Sequence, residues 1–134
     1  NEDAGNEKEH EFGFIPNWQA QQINQKTGVR LNDVVKIINS SGIIHAIKGH
    51  SDGSSEKERG QKGVTINDLD LIPKIVASFD SVEKGNTKRG APGVLFIKTI
   101  NNFEYRVAMT LRINRDKSKL VFSTMYIKIK KADV

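Results

Sequence analysis

Apolar and polar residues alternate through the C-terminal part of the chain. Val94–Ile100, Phe103–Ile113 and Lys119–Lys130 read as three strands. In the middle one, Phe103, Tyr105, Val107, Met109, Leu111 and Ile113 hold the odd positions, and Glu104, Arg106, Ala108, Thr110 and Arg112 the even ones. A period of two sends these sets to opposite faces. In the last segment the odd positions Val121, Met125, Ile127 and Ile129 again make an apolar face. Asn101-Asn102 suits a two-residue hairpin turn, and residues 114–118 make the next turn. Pairing Ile113 with Lys119 brings Leu111 opposite Val121, Val107 opposite Met125 and Tyr105 opposite Ile127. A slip of one residue would break that match. The same register sets Arg106 opposite Tyr126, Ala108 opposite Thr124 and Glu104 opposite Lys128. The polar face therefore gathers a guanidinium, a phenol, a hydroxyl and a lysine–glutamate pair around a shallow spot at Ala108.

Upstream the spacing is helical. Pro16-Asn17-Trp18 can open a short helix, with Trp18 as a core anchor. Asn32 can cap a helix through Val34, Val35, Ile37 and Ile38. Ser40-Ser41-Gly42 interrupts it, and Ile43–His50 forms a second short helix. Residues 51–63 read as a surface loop. Thr65 with Asp68 resembles a capping box ahead of Ile66, Leu69, Ile72, Val76 and Phe79 at helical spacing. Pro73 should kink or split that helix. Residues 83–92 read as a glycine-rich basic loop. The expected fold is α+β, with N-terminal helices packed on a C-terminal antiparallel β-sheet of three or more strands. An acidic tail or linker over residues 1–11 precedes one domain over residues 12–134.

Composition narrows the function classes. The 134 residues contain no cysteine, which removes disulfides and thiolate metal sites and suits a reducing compartment. No apolar run approaches the roughly 20 residues of a membrane helix. The chain starts at Asn1 rather than Met, as a domain cut from a longer protein would. Its net charge of +5 is unevenly spread. Residues 1–11 carry five acids against Lys8, whereas residues 84–131 carry twelve Lys or Arg against Glu104 and Asp116, a balance of +10. Such a segment favours polyanions: nucleic acid first, then an acidic protein, then a membrane surface.

Of the three histidines, His10 falls in the tail. His45 and His50 lie about 140° apart around an ideal helix, unlike the i, i+4 pair of a helical zinc site, so no metal site is expected. Histidine is the usual proton carrier at neutral pH. His45 is then either catalytic or a satisfied core histidine among Ile43, Ile44 and Ile47. Lys48, one helical turn on, can hold a phosphate beside it.

The segments Ile44-His45-Ala46-Ile47-Lys48-Gly49-His50, Arg59-Gly60-Gln61, Ile66 to Pro73 and Ser123-Thr124-Met125-Tyr126 resemble the phage-associated branch of the barnase–EndoU–colicin E5/D–RelE (BECR) nuclease superfamily, over residues 30–130. The resemblance implies a barnase/RelE-like fold and a metal-independent, cofactor-free ribonuclease serving as a toxin or phage-borne effector domain. It marks His45, His50, Thr124 and Tyr126 as catalytic, and the register adds Arg106. Lys48, Lys84, Lys88, Arg89, Arg112 and Lys128 are the expected phosphate and RNA contacts. The implied reaction is transesterification by the RNA 2′-hydroxyl, leaving a 2′,3′-cyclic phosphate. The implied partners are RNA, tRNA among the candidates, and an acidic immunity protein or antitoxin, with no membrane. The implied site of action is the cytoplasm, with delivery as part of a secreted or phage-borne larger protein. The alternative is a non-catalytic RNA-binding or protein-interaction module with a basic sheet face.

Overall fold

The computed structural model describes residues 8–50, 61–88, 90–114 and 117–129. In chain order the elements are β1 (Glu9–Phe14), α1 (Asn17–Thr27), β2 (Val34–Asn39), α2 (Ser40–His50), β3 (Gln61–Lys62), α3 (Ile66–Leu69), α4 (Ile72–Ala77), β4 (Ser81–Lys88), β5 (Ala91–Ile100), β6 (Phe103–Ile113) and β7 (Ser118–Ile129). The seven strands form one sheet in the order β1-β2-β7-β6-β5-β4, with β3 pairing the far part of β7. Every pairing is antiparallel except β2 with β7. The fold is thus mixed α and β, as expected. The helices do not all precede the sheet, because β1 and β2 come early and α3 and α4 lie mid-chain.

One face of the sheet is covered. Ile23 of α1 and Ile72, Ile75 and Val76 of α4 pack with Val94, Phe96, Val107 and Met125 in the main core. Gln19 secures α1 to α4, its Nε2 donating to the Val76 carbonyl at 3.0 Å. Trp18 is not a core anchor. It is 63% exposed, one residue off the line Gln19–Ile23–Thr27 that α1 buries. Pro73 splits the mid-chain helix, standing in the first turn of α4, where its missing N–H costs little. The Thr65–Asp68 capping box forms at α3.

Several expectations are corrected. The helix from Asn32 is strand β2. Its residues are mostly β-branched and both its faces are buried, Val34 in the main core and Val35 and Ile37 in a smaller cluster with Val121. A strand buried on both faces reads as a continuous apolar run, without alternation. Ser40-Ser41-Gly42 therefore opens α2 instead of interrupting a helix, and Asn39 Oδ1 accepts from the Gly42 N–H at 2.9 Å. Residues 9–11, expected in the tail, belong to β1, where Glu9 pairs with Asn39 and Glu11 with Ile37. Residues 83–92 are largely strand, because β4 and β5 make a hairpin in which Gly85 faces Gly93. A Cβ on Gly93 would come within 2.6 Å of the Asn86 carbonyl oxygen, so close backbone approach explains the glycine better than loop flexibility does. Gln61 and Lys62 of the expected 51–63 loop form β3, and residues 51–60 lie outside the described residues.

The β5–β6 turn has Asn101 and Asn102 at φ 50° and 67°, the left-handed pair a tight hairpin requires. The β6–β7 register holds as expected from Glu104–Lys128 to Ala108–Thr124. Beyond Ala108 a bulge at Ser123 shifts it, so Met109 faces Phe122, Leu111 faces Leu120 and Ile113 faces Ser118. Leu111 thus does not meet Val121, nor Ile113 Lys119. The bulge turns Leu120 and Phe122 into the main core and sends Val121 to the opposite face. One extra residue in one strand has that consequence.

The polar ends of these rows make an open face. β2 pairs with β7 only as far as Val121, and α2 packs along β7 beyond that point. Gly42 sets the closeness of this contact: a Cβ there would lie 2.8 Å from the Phe122 carbonyl oxygen and 2.9 Å from its ring. Gly42→Ala should cost about 1–3 kcal/mol, as overpacking does, read as a fall in the urea midpoint at unchanged m-value.

Candidate functional site

Two adjoining pockets lie along the open face. In the first, of about 360 Å3, Glu83 of β4, Leu95 of β5, Ala108 of β6 and Thr124 of β7 stand in one cross-strand row, and Arg106 and Tyr126 in the next. The second, of about 380 Å3, is formed by Asn39, Ser41, Gly42 and His45 with Thr110, Arg112 and Ser123. Thr110 and Ser123 line both, so the two are successive parts of one groove.

Arg106 is the fixed centre of the first pocket. Its Nε donates to Glu104 Oε2 at 2.6 Å, and its Nη1 lies 4.0 Å from Glu83 Oε1. Burial alone would lower its pKa, but hydrogen bonds to Glu104 and Tyr126 and the Glu104 charge outweigh burial and raise it. The guanidinium is charged at every relevant pH. Thr124 Oγ1 is buried with no hydrogen-bond partner among the described residues. Ala108 leaves the floor shallow, as its size requires.

The second pocket is built by α2. Gly42 and Ala46 face the protein, and the i, i+4 geometry of a helix turns Ser41 and His45 outward together. His45 is exposed and lines the pocket with Arg112, so it is not a core histidine. Among the described residues Arg112 makes no ion pair, and no carboxylate lines this pocket. Lys119, opposite Arg112 in the register, is instead neutralised by Glu9 at 2.9 Å. The like charges that would otherwise repel across the two strands are thereby relieved, and Arg112 keeps its donors.

The expected residues are therefore divided. Arg106, Thr124, Tyr126 and Lys84 line the first pocket, and His45 and Arg112 the second. Lys128 is exposed in the row beyond Tyr126, opposite Glu104. Lys48 is exposed one turn along α2 from His45. His50 is the last residue of α2 and Lys88 the last of β4; their side chains, and all of Arg89, lie outside the described residues. Glu83, Thr110 and Ser123 were not legible as site residues. Glu83 falls in a stretch that reads as a loop and so has no register in the sequence, and Ser123 reaches the groove only through the bulge. Among the described residues no three His, Asp or Glu side chains gather to hold a metal ion, and no helix is long and apolar enough to cross a membrane.

A family model described as phage-Barnase-EndoU-ColicinE5/D-RelE like nuclease3 matches residues 13–133. The chain belongs to this nuclease family. Neither the curated proteins nor the solved structures return a match. The family match starts at Gly13, inside β1, so the BECR-like nuclease unit takes in α1 and β2 as well as the histidine helix and the C-terminal strands. Both pockets lie within the matched span.

Proposed function

We propose that this nuclease cleaves RNA without a metal ion, by attack of the 2′-hydroxyl on the adjacent phosphorus. The O2′–P bond forms and the P–O5′ bond breaks, leaving a 2′,3′-cyclic phosphate and a 5′-hydroxyl. The observation that carries this reading is the pairing of His45 with Arg112 in a pocket that no carboxylate among the described residues lines. The nucleophile belongs to the substrate, so the protein has only to move protons and steady the phosphorane charge. His45 takes the proton of the 2′-hydroxyl, and the departing 5′-oxygen is protonated from water in the open groove. Arg112 holds the non-bridging oxygens, a charge-assisted contact strongest as charge builds in the transition state. Lys48, Lys84 and Lys128 follow the backbone as positioning contacts without sequence readout. An acidic antitoxin or immunity protein is the protein partner this basic face fits.

The test is digestion of total RNA in the presence of a chelator. The products should carry 2′,3′-cyclic phosphate and 5′-hydroxyl ends, and cleavage should weaken steeply with salt. Cleavage of DNA, or loss of cleavage on chelation, would falsify the mechanism. Binding without turnover would leave only a nucleic-acid-binding module.

A further inference from the structure

The two pockets differ in charge and in hydrogen-bonding capacity. In the second, Arg112 and His45 face no carboxylate among the described residues. In the first, Arg106 and Lys84 stand with two carboxylates, Glu104 at 2.6 Å and Glu83 at 4.0 Å from the guanidinium. The acids thus match the cations, and a phosphate, which brings negative charge and acceptor oxygens only, finds no excess of positive charge there. The unused capacity of the first pocket is of the opposite kind. Glu83 is 57% exposed at the pocket wall and its carboxylate accepts no hydrogen bond from any described residue, while Thr124 Oγ1 is buried with no hydrogen-bond partner among the described residues. Beneath them lies an apolar floor of Leu95 and Ala108, and Tyr126 stands beside it. Acceptors and guanidinium donors around a flat apolar floor complement the edge and face of a nucleobase, which single-stranded RNA can splay out of its stack.

We infer that the first pocket seats a base of the bound strand, one pocket away from the phosphate at Arg112, and that it favours bases bearing an exocyclic amine over uracil. Glu83 accepts from the amine, and Arg106 donates to the neighbouring ring or carbonyl acceptor. Uracil has no amine, and its one edge donor, N3–H, is flanked by two carbonyl oxygens, so a carboxylate that accepts from it is set against a carbonyl oxygen and the contact is weaker. A site built around such a hydrogen bond discriminates strongly against the analogue that lacks it. Glu104 has a different part. Engaged at 2.6 Å, it fixes the guanidinium and is a positioning residue.

This inference rests on the ribonuclease reading of the same groove, but its test does not need turnover. The four nucleoside 3′-monophosphates are titrated by calorimetry at one ionic strength. Uridine 3′-monophosphate should bind at least tenfold more weakly than each of the other three. Glu83→Leu should bring all four to within twofold of one another; the residue is exposed on an edge strand, and circular dichroism confirms that the variant folds. Arg112→Ala should weaken all four alike and keep their order. Equal affinities in the parent protein, or a uridine penalty that survives Glu83→Leu, overturn the inference. If RNA is cut while the four nucleotides bind alike, the base pocket fails and the ribonuclease stands. If the ranking holds while RNA stays intact, the ribonuclease fails and the base pocket stands.

Discussion

His45→Ala should lower RNA cleavage by about a hundredfold or more while leaving the unfolding midpoint unchanged. A positioned general base or acid typically contributes about 10²–10⁴-fold, and the His45 ring is exposed in the groove, with Gly42 and Ala46 supplying the packed side of α2. Truncation therefore removes chemistry without removing core. Arg112→Ala should fall by a similar factor, since losing one donor to a developing oxyanion costs about 3 kcal/mol. Arg112→Lys should recover only part of it, because an ammonium lacks the planar fork that meets two phosphoryl oxygens. The double variant should be scarcely worse than either single one, as expected of groups that act on one transition state. Single-turnover cleavage of a short labelled RNA measures all four. Undiminished cleavage in His45→Ala takes the residue out of the chemistry, and full additivity with Arg112→Ala separates the two into independent sites.

How far the sequence discloses this site depends on which face of each strand is buried. Arg106, Tyr126, Ala108 and Thr124 were placed together by alternation alone, and the register between Glu104 and Ala108 holds. Alternation is informative there because one face meets the core and the other meets solvent. The bulge at Ser123 left a trace too, since Leu120 and Phe122 are large apolar residues at positions the simple register assigns to the polar face. β2 carries no such trace, because burial on both faces erases the period that separates strand from helix. The pairing of His45 with Arg112 instead of Arg106 was also hidden. It is fixed by how Gly42 lets α2 settle against Phe122, a tertiary contact between segments eighty residues apart. Local propensity is silent on such contacts.

Asp68→Ala costs the protein about 3 kcal/mol, roughly a 150-fold change in the folding equilibrium. Asp68 is only 6% exposed, yet its carboxylate holds three elements together. Its Oδ2 accepts from the Thr65 N–H at 2.9 Å, the Thr65 hydroxyl at 3.0 Å and Lys62 Nζ at 2.9 Å, and its Oδ1 from the Tyr105 hydroxyl at 3.3 Å. Removing it loses a helix cap worth about 1 kcal/mol and leaves the buried Tyr105 hydroxyl without its acceptor, at about 1–3 kcal/mol. The Lys62 contact adds little, because Lys62 is 32% exposed and a solvated pair is screened; Lys62→Met should cost less than about 1 kcal/mol. Burial pushes the Asp68 pKa up, but the hydrogen bonds from Thr65 and Lys62 and the Lys62 charge push it down further, and the net shift is downward. A depressed carboxylate stabilises the fold above its unfolded pKa, and that contribution is lost as pH falls through the folded value. The difference in unfolding free energy between the parent and Asp68→Asn should therefore be flat from neutral pH down to about pH 5 and shrink below it. At the other end, burial first and then the Asp68 charge and hydrogen bond raise the Tyr105 pKa. A raised phenol stabilises below its unfolded pKa, so Tyr105→Phe should lose less relative to the parent above about pH 10 than at neutral pH. Urea unfolding across pH measures both, and an acid limb that runs parallel in parent and Asp68→Asn denies the carboxylate this role.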